Sequence, residues 1–282
     1  MLINPLTLHL PKTSKEAAKL YKELEDSKVL AGGTFLLNSM KLLKHKGTKT
    51  VRNVLSLAKV EDLKGVSLQG DTLTIKAMTR ISELKDAVLP EGHLRILHTV
   101  CKNISTQPIR NMATVGGNLT CRYTWTEMGA VMLTLGAKMH FLGPDGKEDV
   151  IDTEDFYKNA ARSEKLFTHV TLKTNPISRV AYRRVKKSIH MDIPMLALCI
   201  KTDLNGKKWN NTRVGINNGV AFAQRDSSLE EFLNKSSSSS DLGIEALQHL
   251  TAAIYDTRTT EYKQHMFRVS LKSAIEEISN KL

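Results

Sequence analysis

Two glycine pairs carry the strongest hint of chemistry in this chain. One lies in Ala31-Gly32-Gly33-Thr34, and the other closes the string Gln107-Pro108-Ile109-Arg110-Asn111-Met112-Ala113-Thr114-Val115-Gly116-Gly117-Asn118. Adjacent glycines let a backbone turn with positive φ and approach a ligand that a Cβ would hold away. N–H groups left pointing into one concavity bind phosphate oxygens without a lysine. Two such loops, each with a threonine donor, suit a pyrophosphate held between two segments. A glycine pair alone is more often just a turn, so the weight rests on the longer strings.

Val29-Leu30-Ala31-Gly32-Gly33-Thr34, followed by Gln107-Pro108-Ile109-Arg110-Asn111 and Ala113-Thr114-Val115-Gly116-Gly117-Asn118, resembles the FAD-binding subunit of the molybdenum hydroxylases. That family covers the flavin subunits or domains of xanthine dehydrogenase, aldehyde oxidase and carbon monoxide dehydrogenase. The likeness continues through Tyr182-Arg183-Arg184-Val185, Asp192-Ile193, Gly219-Val220-Ala221 and Asp256-Thr257-Arg258 with Tyr262-Lys263. The fold it implies is α+β. A two-part FAD-binding domain of the PCMH/vanillyl-alcohol-oxidase-like type would span about residues 1–175, with subdomains near 1–58 and 59–175. A smaller α+β C-terminal domain of the CO dehydrogenase flavoprotein type would follow over about 176–282.

The amides of Gly32, Gly33, Thr34, Gly116 and Gly117 are the expected pyrophosphate cradle, with Thr34 and Thr114 adding hydroxyls. Asn118 can donate and accept, which suits a pyrophosphate or ribityl contact. The resemblance extends the first contact segment over Val29, Leu30, Ala31, Phe35 and Leu36, and makes Ile104 an apolar wall. It places Glu127 where the family carries an aspartate that accepts hydrogen bonds from flavin-side hydroxyls. Arg122, Tyr123 and Trp125 are bulkier than the family pattern at that segment, and Phe35 stands where an aspartate is common. Phe167 aligns with a position that packs on the isoalloxazine. Arg184 aligns with a basic residue near the flavin, where a cation would favour the anionic reduced ring and raise its potential.

The implied activity is electron transfer within an oxidoreductase assembly. Electrons from a molybdopterin-binding large subunit would cross 2Fe-2S clusters on a small subunit to FAD here, and leave to NAD or another acceptor. The flavin carries the redox chemistry, so no catalytic acid, base or nucleophile is expected on this chain. Two rivals remain: a self-contained FAD-dependent oxidoreductase, and a scaffold subunit that has lost flavin.

Composition agrees with this division of labour. Cys101, Cys121 and Cys199 are widely spaced, which argues against disulfides and against a zinc or iron-sulfur site built from this chain alone. No metal ligands are expected. Lysine and arginine number 41 against 29 acidic residues, a net charge of +12. The basic clusters, Lys41, Lys44, Lys46 and Lys49, then Arg183, Arg184, Lys186 and Lys187, lack interleaved aromatics, so no nucleic-acid partner is expected. No apolar run approaches membrane-spanning length, and Met1 to Lys12 lacks a secretory signal pattern. The expectation is a cytoplasmic protein without a membrane partner.

Periodicity supplies the elements that must position these loops. A helix capped by Thr13-Ser14-Lys15-Glu16 runs toward Asp26, Lys28 to Leu30 is extended, and Leu36, Leu37, Met40 and Leu43 mark a second helix. Strands are expected around Thr72 to Ala77, Lys138 to Leu142, Leu166 to Leu172, Ala181 to Lys187, Met195 to Lys201 and Thr212 to Ile216. Thr79 should cap a helix over Ile81, Leu84 and Val88; further helices fall at Leu94 to Cys101, Met128 to Leu135 and Ser227 to Leu233. Ser236 to Ser240 reads as a flexible polar loop, and helices at Ile244 to Ile254 and Thr260 to Ile278 end the chain.

Overall fold

A computed structural model describes residues 5–47, 51–124, 126–159, 164–186, 193–217, 222–256 and 260–280. Trp125, Lys49, Lys187, Asp192, Gly219-Val220-Ala221 and Thr257-Arg258 lie outside the described residues. The first unit is a small parallel sheet of order β1-β3-β2, with β1 at Thr7–His9, β2 at Ser27–Leu30 and β3 at Asn53–Ser56. Helices α1 (Ser14–Glu23) and α2 (Leu36–His45) connect those strands. Thr13 caps α1 by accepting from the Glu16 N–H at 3.2 Å, while the Glu16 carboxylate reaches back to the Lys12 N–H at 2.7 Å.

The second unit is a five-stranded antiparallel sheet of order β4-β5-β8-β6-β7, comprising β4 (Val66–Gln69), β5 (Thr72–Lys76), β6 (Lys138–Leu142), β7 (Glu148–Asp152) and β8 (Leu166–Lys173). Its helices are α3 (Ile81–Asp86), α4 (Ile96–Asn103), α5 (Gln107–Arg110), α6 (Val115–Thr120), α7 (Glu127–Leu135) and α8 (Thr153–Lys158). Every residue of α7 is buried. The third unit is a meander of order β12-β11-β10-β9, with β9 at Ser178–Val185, β10 at Leu196–Asn205, β11 at Lys208–Asn217 and β12 at Gln224–Arg225. Helices α9 (Ser227–Lys235), α10 (Leu242–Glu245), α11 (Ala252–Asp256) and α12 (Glu261–Ser279) follow.

Strand alternation explains how the meander joins two cores. Ala181, Val185, Leu198 and Ile200 pack with Phe267, Leu271 and Ile275 of α12. Tyr182, Ala197 and Cys199 point the other way, into the core that holds α7. Helix α7 lies so close to β11 that a Cβ on Gly215 would sit 2.1 Å from Thr134 Oγ1 and 2.5 Å from the Ala130 carbonyl. Neither backbone nor a buried β-branched side chain can yield cheaply there. Gly215→Ala is expected to cost on the order of 1–3 kcal/mol by overpacking, read as a fall in denaturation midpoint. An unchanged midpoint would show that α7 and β11 can separate freely.

Three expected elements form differently. Thr79 is not a helix cap; its hydroxyl donates to the Gly65 carbonyl at 2.8 Å, α3 begins after Arg80, and Val88 lies beyond it, exposed. The helix expected over Ile244 to Ile254 is broken because Asp226 captures the Thr251 N–H at 3.1 Å and its hydroxyl at 2.7 Å. The serine run is pinned rather than loose: Ser238 Oγ accepts from Trp209 Nε1 at 2.8 Å, and its N–H donates to the Lys207 carbonyl at 2.7 Å.

Candidate functional site

The two glycine loops meet at one cleft of about 1200 Å³ between the first two units, with one wall reaching the third. That size is at or above the upper end of the roughly 300–1,000 Å³ typical of small-ligand sites, which suits an extended ligand. Val29, Ala31, Gly32, Gly33, Thr34, Phe35, Leu36, Ile104, Thr114, Gly116, Gly117, Asn118, Glu127, Phe167 and Arg184 all line it. Leu30 does not; its side chain packs with Met40, Val51 and Val54 beneath the loop.

The glycines serve different purposes. Gly33 alone of the four takes a left-handed turn, with φ of 70°. Gly32 is required by the neighbouring loop, since a Cβ there would sit 2.1 Å from the Met112 carbonyl oxygen. Gly116 and Gly117 do not form the expected positive-φ turn. They open helix α6, where Thr114 is the N-cap and accepts from the Gly117 N–H at 3.1 Å. A Cβ on Gly116 would meet Ala77 at 2.8 Å, whereas one on Gly117 would meet only Thr114 Oγ1 at 3.1 Å and Ala31 Cβ at 3.8 Å, with the cleft beyond.

Donor accounting separates the loops further. The N–H groups of Val115, Gly116 and Asn118 donate to the carbonyls of Thr79, Ala77 and Thr114, so α6 offers none of the amides expected of it. The N–H groups of Gly32, Gly33 and Thr34 have no acceptor among the described residues. Of the amides expected to form a cradle, those without an acceptor among the described residues all lie in the first loop. The second supplies closeness, the Thr114 hydroxyl and Asn118, whose buried Oδ1 has no hydrogen-bond partner among the described residues.

Arg110 holds the segment leading into the second loop. Its guanidinium donates to the carbonyls of Lys102, Ile104 and Ser105 at 3.2, 2.9 and 2.7 Å. Ser105 is thereby kept at a φ of 49° and Ile104 is set against the cleft. The two departures from the family pattern meet each other: the rings of Phe35 and Tyr123 lie 4.3 Å apart, one from each side of the cleft. Arg122 also lines the cleft, with its guanidinium tied down. Its guanidinium donates to the carbonyls of Phe156 and Asn159 and lies 4.6 Å over the Phe156 ring.

Glu127 is already engaged. Arg184 Nε donates to its Oε1 at 2.7 Å and the Tyr182 hydroxyl donates to its Oε2, so each oxygen accepts one bond. Burial holds the Glu127 carboxyl above its ordinary range, against the pull of Tyr182 and Arg184. Arg184 is accordingly no bare cation beside the cleft. Phe167 is 7% exposed and packs on Phe141 at 5.4 Å between centroids, with one edge on the cleft. All three cysteines are free; burial pushes the Cys101 and Cys199 thiols up to about 12 and also raises Cys121, which is partly buried at the cleft, so each favours the thiol over the thiolate.

Sequence reasoning missed Ala77, Phe141, Phe156, Lys165, Pro194 and Phe222, which also line the cleft. They arrive from distant strands and loops, and none carries a local signal.

The family described as the FAD binding domain in molybdopterin dehydrogenase matches residues 4–172, more than half of the chain. The chain belongs to this family. Similar proteins extend beyond the matched residues. A carbon monoxide dehydrogenase medium chain of Afipia carboxidovorans is 26% identical over 98% of this chain and 97% of its own. A nicotinate dehydrogenase FAD-subunit of Eubacterium barkeri is 24% identical over 73% of this chain and 72% of its own. Among solved structures, carbon monoxide dehydrogenase from Hydrogenophaga pseudoflava superposes with a TM-score of 0.88 at 22% identity, covering 99% of this chain and 98% of that one. These likenesses establish the α+β fold across all three units.

Proposed function

We propose that this chain is the FAD-carrying electron-transfer subunit of a molybdenum-hydroxylase-type oxidoreductase. Its FAD-binding domain would span about residues 1–175, in two subdomains near 1–58 and 59–175, with a C-terminal domain from about 176 to 282. The observation that carries the reading is that Gly32, Gly33 and Thr34, whose amides have no acceptor among the described residues, line one cleft with Asn118, whose Oδ1 likewise has no partner among them. Amides aimed at one point hold phosphate oxygens, and the Asn118 carbonyl accepts from a ribityl or ribose hydroxyl. Ile104 and Phe167 offer apolar walls to a flat ring, and the pair Phe35 and Tyr123 shields one edge from water. When bound, FAD supplies the exchange of electrons between an internal donor and an external acceptor.

The remaining cofactors are assigned to partners: 2Fe-2S clusters on a small subunit and molybdopterin on a large subunit, with NAD or another acceptor taking the electrons in the cytoplasm. A basic surface of net charge +12 suits acidic partner faces. No helix among the described residues is long and apolar enough to cross a membrane. Expressed alone, the chain should oxidise no purine, aldehyde, nicotinate or carbon monoxide. Co-expressed with the products of its neighbouring genes, it should purify as one complex containing iron, molybdenum and flavin. Turnover of an organic substrate by the single chain at ordinary enzymatic rates would replace this reading with that of a self-contained oxidoreductase.

A further inference from the structure

Away from the cleft, three adjacent strands of the five-stranded sheet bring two histidines and a glutamate together. His140 of β6 pairs directly with His169 of β8, and Glu148 comes from β7 on the other side of β6. One ligand atom from each lies within 4.8 Å of the other two. The Nδ1 atoms of His140 and His169 stand 3.4 and 3.7 Å from the same Glu148 oxygen. Two ligands on one tetrahedral zinc ion are about 3.3 Å apart, given metal–ligand bonds near 2.0–2.1 Å. From this geometry we propose that His140, Glu148 and His169 form a binding site for a divalent cation of the zinc class.

The surroundings accommodate the ring tautomers that role needs. His140 Nε2 lies 3.0 Å from Thr171 Oγ1, which can accept its proton and so leave the lone pair on Nδ1. That Nδ1 is buried and has no hydrogen-bond partner among the described residues, a state that costs free energy unless something occupies it. Thr168 Oγ1 donates to the His140 carbonyl at 3.2 Å and lies 3.0 Å from His169 Nδ1; the His169 tautomer protonated at Nε2 gives up that second contact and leaves its Nδ1 lone pair for the ion. The rings stack with centroids 3.9 Å apart and planes at 17°. Capture of one ion by both requires them to tilt apart. The exposed side of the site, where the Glu148 side chain is 45% accessible, leaves room for that movement and for water as a further ligand.

Lys76 sits opposite His169 on β5, and its charge opposes the incoming cation and weakens binding. The ion would clip β7, β6 and β8 together on the sheet face turned away from Phe141 and Phe167. Titration of the full chain, flavin bound, with zinc alone should give one bound ion per chain and a raised denaturation midpoint. Cobalt(II) at the same site should show the visible absorption of a four- or five-coordinate ion. Glu148→Gln and His169→Ala should each weaken zinc binding at least about tenfold. His9→Ala, remote from the cluster, should leave it unchanged. Circular dichroism checks that each variant is folded, and the exposed Glu148 substitution keeps the test open if a histidine variant is not. No zinc binding, or an adventitious ion only, bound equally by both cluster variants, would overturn the proposal.

Discussion

Gly117→Leu yields a folded chain that no longer holds FAD. Space decides the outcome: Gly117 faces the cleft between Thr114 and Ala31, and a leucine side chain there fills the gap between the two loops. Its backbone lies in the first turn of α6 without positive φ, so leucine suits the local conformation better than glycine does. The expected loss is at least about 100-fold in FAD affinity, equivalent to about 2.7 kcal/mol, with circular dichroism unchanged. Wild-type affinity in a folded variant would place the phosphates elsewhere.

Arg184→Leu should have the largest effect on stability. Arg184 and Glu127 are 6% and 3% exposed, and the pair ties β9 to the start of α7 at the floor of the cleft. Removing the cation leaves a buried carboxylate with Tyr182 as its hydrogen-bond donor and the more distant charge of Lys186, a change that typically costs about 3–5 kcal/mol. The pH dependence follows from the sign of the Glu127 shift, which burial makes upward. Between the unfolded and folded values the native state holds a proton that the unfolded chain has lost, so this group's contribution to stability falls as pH rises through that window. Without Arg184 the folded value rises further. The deficit of the variant should therefore be greater at about pH 7 than at about pH 5, and Glu127→Gln added to Arg184→Leu should recover part of it. A loss below about 1 kcal/mol at neutral pH would show the pair to be effectively solvent-exposed.

Much of the site could be read in the sequence because its loops are continuous strings. The Gly32-Gly33 and Thr114 to Asn118 segments, Ile104 and Phe167 all reach one cleft. The chemistry assigned to the second loop could not be read there. Whether Gly116 and Gly117 turn or begin a helix depends on Ala77 and Thr79, which take the first amides of α6 and come from another strand end. Glu127 and Arg184 were legible one at a time, yet their pairing arises only when the side chains at the end of β9 reach the start of α7. The same reason hid the His140 and His169 cluster, which exists through sheet register rather than spacing. In the fold, helices with strong caps such as Thr13 and Thr260 formed as read, while Ile244 to Ile254 was interrupted by the distant carboxylate of Asp226.

The most direct test is to denature the purified chain and identify what it releases. Intact FAD should appear in the supernatant in about equimolar amount, because backbone amides and an asparagine oxygen hold a ligand by hydrogen bonds and not by a covalent bond. FMN, no flavin, or flavin still attached to the polypeptide would contradict the account.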